Sequence, residues 1–272
     1  MAITAKEVNE LRKMTGAGMM DCKKALTEAN GDSEKAIELL RKKGQKVSAS
    51  RQDRSTSEGS VFVNAEGGEG FAFSLQCETD FVAKNDDFKK IGSDIATLIA
   101  DSSANSIDEI LALDMEGQKI SEVLVEKMGT IGEKLEIGSF EKVSGDKVVP
   151  YIHAGSKLAV LIAINGGSGD IEGLGKDLAM QIAAMNPIAI DKSGVDQSVL
   201  DKEMALGKEM AIAEGKPENI VDKIAEGKVK RFLKDNTLLG QSFVKDGSKT
   251  VEALLKENGG AKVASFKRVS IG

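Results

Sequence analysis

Residues 78–85 read Glu-Thr-Asp-Phe-Val-Ala-Lys-Asn, which sets a carboxylate, Asp80, beside a large aromatic ring, Phe81. Just upstream, Phe71, Phe73, Leu75 and Cys77 alternate with other residues, so the spacing predicts a strand over residues 71–77 with one apolar face. The chain after that strand is polar on both sides of the pair, with Glu78 and Thr79 before it and Lys84, Asn85, Asp86 and Asp87 after it. A phenylalanine in such surroundings has two uses. It staples the next helix to the core, or it stands out as a wedge for a partner protein. The local pattern alone leans to the staple and leaves both open.

Covalent chemistry has few candidates. The single histidine, His153, is expected on a strand beside Tyr151, where a half-buried, hydrogen-bonded ring is the plain reading. No group of His, Cys and carboxylates has the spacing of a zinc site, so neither a metal nor a catalytic residue is expected. Asp86-Asp87 suits a helix start, where the dipole favours negative charge. A predicted strand over residues 158–164 runs into Gly166-Gly167-Ser168-Gly169 and then Gly175-Lys176, which imitates a phosphate loop. The spacing from Gly169 is one residue too long, and Asp177 stands where a magnesium-binding hydroxyl belongs. A nucleotide-dependent transferase is therefore only a rival reading, and no cofactor is expected. Arg41-Lys42-Lys43 with Lys46 reads as cations at a helix C-terminus rather than an RNA patch.

Composition points the same way. The 272 residues are 41% hydrophobic and 29% charged, enough for one large or two modest cores. Thirty-seven basic against forty-three acidic residues leave a net charge of −6, which disfavours direct nucleic-acid binding. Cys22 and Cys77 both fall on apolar faces and read as buried free thiols. No apolar run is long enough to cross a membrane, and the first residues lack the regions of a signal peptide, so a cytoplasmic location is expected.

The elements that must position these residues form an α+β protein. Three short helices are predicted over residues 1–46, opened by a Thr4/Glu7 capping box, broken at Gly16-Ala17-Gly18 and closed by Gly44 as a left-handed C-terminal residue. Residues 47–59 read as a flexible linker. An internal repeat follows. Ile91-Gly92-Ser93-Asp94-Ile95-Ala96 returns as Leu174-Gly175-Lys176-Asp177-Leu178-Ala179, and Ser139-Phe140-Glu141-Lys142-Val143 returns as Ser265-Phe266-Lys267-Arg268-Val269. The expected core is thus duplicated, with two three-stranded antiparallel-type sheets covered by helices, one over residues 60–144 and the other over 145–186 with 229–272. The second copy spaces its helix from its last strand by about forty extra residues. That insertion, residues 187–228, reads as an antiparallel coiled-coil hairpin turned at Gly215-Lys216-Pro217.

Met14-Thr15-Gly16-Ala17-Gly18-Met19-Met20-Asp21-Cys22-Lys23-Lys24-Ala25-Leu26, together with Thr79-Asp80-Phe81-Val82, resembles the bacterial translation elongation factor Ts family, and the resemblance extends over nearly the whole chain. It implies a guanine-nucleotide exchange factor for the GTPase elongation factor Tu, without covalent chemistry. It implies that Thr79, Asp80, Phe81 and Val82 dislodge the partner's magnesium ion, and that Met19, Met20 and Lys23 dock on its GTPase domain. Adjacent residues on a helix cannot both point into the core, so Met19 and Met20 read either as one exposed methionine suited to a contact surface or as two partly buried ones. His153 is implied to touch a further domain of the partner. The first three helices resemble the ubiquitin-associated fold. The additional C-terminal helical module of some family members has no counterpart up to Gly272. The rival is an interaction scaffold without effect on nucleotide. Self-association through the hairpin is an open alternative.

Overall fold

A computed structural model describes residues 3–272. Helices α1 (Ala5–Thr15), α2 (Met19–Glu28) and α3 (Ser33–Ser50) come first. Thr4 accepts the Glu7 N–H, and the Glu7 carboxylate accepts the Thr4 N–H at 2.7 Å, which satisfies two donors of the first turn reciprocally. Gly16, at φ 67°, ends α1, and Leu11, Cys22, Leu26 and Ala36 close a small core between the three helices.

The first half of the remaining chain is a hairpin of β1 (Glu58–Glu66) and β2 (Glu69–Cys77), the single turn α4 (Asp80–Ala83), then α5 (Asp86–Ala100) and α6 (Ile107–Leu111). A small ribbon of β3 (Asp114–Met115) and β4 (Gln118–Lys119) leads to α7 (Ile120–Ile131), and β5 (Glu136–Ser144) returns to pair with β2. The second half repeats the plan with β6 (Lys147–Ile152), β7 (Leu158–Asn165) and α8 (Ile171–Met185). There follow α9 (Gln197–Ala213), α10 (Glu218–Asn236), a ribbon of β8 (Ser242–Phe243) and β9 (Asp246–Thr250), α11 (Val251–Glu257) and β10 (Lys262–Ser270). The strand orders are β1-β2-β5 and β6-β7-β10, antiparallel throughout.

The two sheets pack face to face. Along β7, Ala159, Leu161 and Ala163 meet Val61, Ala72 and Val143 of the first sheet, while Val160, Ile162 and Ile164 meet Leu174, Leu178 and Ile182 of α8. A strand buried on both faces explains the unbroken apolar run. On the first sheet's outer face, Phe73, Leu75 and Cys77 pack on Phe88, Ile91 and Ile95 of α5 and on Leu124 of α7. The glycine that recurs in the repeat has one task in both copies. A Cβ on Gly92 would collide with the Phe62 ring, and one on Gly175 would lie 2.7 Å from Val149 Cβ, so each helix sits against its sheet where no side chain fits.

Three expectations are corrected. Gly44 does not end α3. It is buried mid-helix, and a Cβ there would lie 2.7 Å from the Val125 carbonyl oxygen, so the residue serves a close crossing with Gly129 of α7. The helix therefore runs to Ser50, where Val47 packs on the first core, and the stretch read as a linker over 47–59 is helical to residue 50. The inserted hairpin also reaches further than residue 228. Its arms meet at Gly207 and Ala225, with Lys208 on Asp222 at 2.8 Å, and α10 continues to Asn236. The reason lies at the root, where Ile188 N–H donates to Asn236 O (2.9 Å) and Leu238 N–H to Ala189 O (2.9 Å), so the returning arm must come back level with the outgoing chain. Residues 229–236 thus belong to the hairpin and not to the second half of the core.

Candidate functional site

Strand β2 ends at Cys77, whose fully buried thiol donates to the Thr79 carbonyl at 3.2 Å. Burial pushes that thiol up to about 12, with the Glu133 and Glu58 carboxylates adding to the shift. Glu78 comes next and is clamped. Burial opposes its charge, but the Lys134 N–H (2.8 Å) and the Arg51 guanidinium (2.6 Å) hold its carboxyl below the ordinary value. Thr79 caps α4, its hydroxyl accepting the Val82 N–H. Both the N–H and the hydroxyl of Thr79 donate to the Glu133 carboxylate, at 3.0 and 2.6 Å. Asp80 is half-buried and pairs with Lys84 one turn on at 2.6 Å, a hydrogen bond that holds its carboxyl below the ordinary value.

The turn α4 has an inner and an outer side. Ala83 is buried and Val82 packs on the first core, whereas Phe81, on the opposite side from Ala83, is 82% exposed. That exposure excludes the staple alternative; the phenylalanine that α5 buries is its own Phe88. What remains is a bare benzyl ring beside a carboxylate, on a turn fixed at both ends.

The other candidate residues stand on separate elements. Met19 and Met20 are both exposed and neither is part of the core, because Cys22, Ala25 and Leu26 take the inward face of α2. Lys23 is exposed beside them, and Met14 at the end of α1 adds a third bare thioether. His153 is exposed too, which corrects the half-buried strand position: β6 stops at Ile152, and the His153 N–H and carbonyl close a turn with Leu158 and Ser156. Its Nδ1 lies 3.0 Å from the Tyr151 hydroxyl. Thr79–Val82, Met19–Lys23 and His153 therefore form three surface stations and no common pocket. The supporting residues Arg51 and Glu133 carry no sequence signal, since both act across the fold.

The glycine loop holds no cradle for phosphate. Gly166 N–H donates to Asp146 (2.9 Å) and Ser168 N–H to the Asn258 carbonyl (3.1 Å), so these donors are spent on the protein. Lys176 binds Glu172 at 3.0 Å, and Asp177 binds Lys245 at 2.6 Å. Among the described residues no cluster of His, Cys, Asp and Glu could hold a metal ion, and no helix is long and apolar enough to cross a membrane. What the stations present to solvent is apolar side chains beside charges, from Phe81, Met19 and Met20 with Asp80 and Lys23.

Comparison with known proteins gives one result throughout. The family model described as Elongation factor TS matches residues 78–272. The chain is 51% identical over 276 aligned positions to Elongation factor Ts of Amoebophilus asiaticus, covering 100% of both chains. It is 50% identical over 273 positions to Elongation factor Ts of Christiangramia forsetii, and 48% identical over 273 to that of Flavobacterium psychrophilum, covering 99% of each chain in both cases.

Proposed function

The chain belongs to the elongation factor Ts family, and from that premise we propose that it is the guanine-nucleotide exchange factor of the translation GTPase elongation factor Tu, with Phe81 as its working part. The observation that carries this reading is the bare ring on an anchored turn. A single exposed apolar side chain would carry no argument by itself; what supports the reading is that this ring stands on a turn anchored by two hydrogen bonds from Thr79 to the Glu133 carboxylate.

In this reading Met19, Met20 and Lys23 dock on the GTPase domain, where flexible thioethers adapt to the opposing surface. His153 touches a further domain of the partner. The ring of Phe81 enters between helices of the GTPase domain, with Thr79 and Val82 against its flanks, and Asp80 exchanges Lys84 for polar groups of the partner. The partner's magnesium ion and phosphate-binding amides, a preorganised set, are displaced together. No bond is made or broken. Linkage requires that GDP weaken binding of this chain by the factor with which this chain weakens GDP, so the exchange rate changes and its equilibrium does not. The first three helices act as a ubiquitin-associated-like docking module, and α9 with α10 as a coiled-coil arm.

The test is direct. Substoichiometric chain added to elongation factor Tu loaded with fluorescent GDP, in excess unlabelled nucleotide, should speed release of the label. Release at the spontaneous rate, or tight GDP binding by the isolated chain in equilibrium dialysis, would sink the proposal.

A further inference from the structure

We infer that Glu133 is a positioning residue for exchange, fixing the turn that carries Phe81 so that the ring presses on the partner and does not swing away; the inference rests on the exchange reading above. A helix of four residues does not hold itself, because one turn lies below the cooperative length of a helix. The ring contributes almost no packing in the free chain. The apolar contacts on the inner side of the turn come from Val82 and Ala83. The backbone before it is what needs an anchor, and Glu133 supplies one.

The geometry is specific. Gly132, at φ 82°, ends α7 in the left-handed region and turns the chain so that Glu133 faces Thr79. Its two carboxylate oxygens take the Thr79 hydroxyl and N–H separately, at 2.6 and 3.0 Å. The next residue, Lys134, gives its N–H to Glu78, which also holds Arg51 at the end of α3. Residues 133 and 134 thus fix both positions before α4. Since α7 is itself seated on α3 at Gly44 and Gly129, force on the ring passes into packed helices. Charge-assisted hydrogen bonds of this kind are the strong ones.

Three variants test the assignment with the full chain: Glu133→Ala, Glu133→Gln and Phe81→Ala. Labelled GDP release from elongation factor Tu is followed over a range of chain concentrations, and thermal unfolding serves as the folding control. For Glu133→Ala the maximal rate should fall by about tenfold or more, while the half-saturating concentration moves by less than about twofold, because the docking helices are untouched. Glu133→Gln keeps one acceptor and should lie between, so the series is readable even if the alanine variant folds poorly. Added to Phe81→Ala, the Glu133 change should cost nothing more, since no ring is left to aim. If Phe81→Ala slows exchange while Glu133→Ala and Glu133→Gln leave the maximal rate intact, or if the losses add in full, the positioning role is overturned and the exchange reading stands. If Phe81→Ala is without effect, both fall.

Discussion

Phe81→Ala separates what the ring does for the fold from what it does for the partner. A buried phenylalanine covers roughly 200 Å², so a side chain that is 82% exposed has roughly 160 Å² free and roughly 40 Å² already covered. At about 25 cal/mol per Å², the covered part is worth about 1 kcal/mol of stability, and the free part up to about 4 kcal/mol when a partner closes over it. Truncation of a central interface aromatic costs about 2–4 kcal/mol, which is about thirtyfold to a thousandfold in a rate or affinity. The assay is stopped-flow release of fluorescent GDP from elongation factor Tu at rising concentrations of parent or variant, with urea unfolding of each. The expected outcome is a fall in stimulated release within that range against a small stability loss. Phe73→Ala supplies the contrast, because the fully buried Phe73 should cost about 3–5 kcal/mol of stability. A Phe81→Ala variant that folds like the parent and stimulates release within about twofold of it would refute the wedge argument.

Gly175→Ala should destabilise by about 1–3 kcal/mol in urea unfolding despite the better helix propensity of alanine, because its Cβ meets the stiff Val149 side chain. Gly44→Ala should likewise lower the unfolding midpoint, since the new methyl meets a backbone carbonyl of α7 that cannot move alone; an unchanged midpoint would mean that α3 and α7 do not cross there. The Glu78 carboxyl is held below its ordinary value of 4.5, so its clamp contributes stability in full above that pH and loses it as the pH falls through the lowered folded value. Thermal midpoints taken on acidification through that window should therefore fall more steeply for the parent than for Glu78→Gln, and parallel curves would refute the clamp. Both cysteines are fully buried and Cys77 is pushed up to about 12, so neither should react with a thiol reagent near neutral pH until the chain is unfolded.

Much of the architecture was legible in the residues, because it depends on neighbours along the chain. The Thr4–Glu7 cap, the break at Gly16 and the period-two face from Phe71 to Cys77 are local patterns, and a local pattern selects its element wherever the chain goes. The repeat also carried more than similarity. Two helices with glycine at the same place imply two sheets pressed against them, and β1-β2-β5 with β6-β7-β10 have that common plan. The misreadings arose where one symbol serves two purposes. Gly44 looks like a helix end from its own stretch, and only the backbone of α7, far off in sequence, makes it a crossing point.

The residue types alone determined that Asp80 and Phe81 sit on a polar turn after a strand. Whether that ring faces inward or outward was decided by tertiary structure: Val82 and Ala83 are the residues of the turn that meet the core, and Phe81 is left on the outer side. The same holds for the mount beneath it. Arg51, Glu78, Glu133 and Lys134 come from three distant stretches, and no pattern within any one of them foretells that folding will bring their charges and amides within hydrogen-bonding reach.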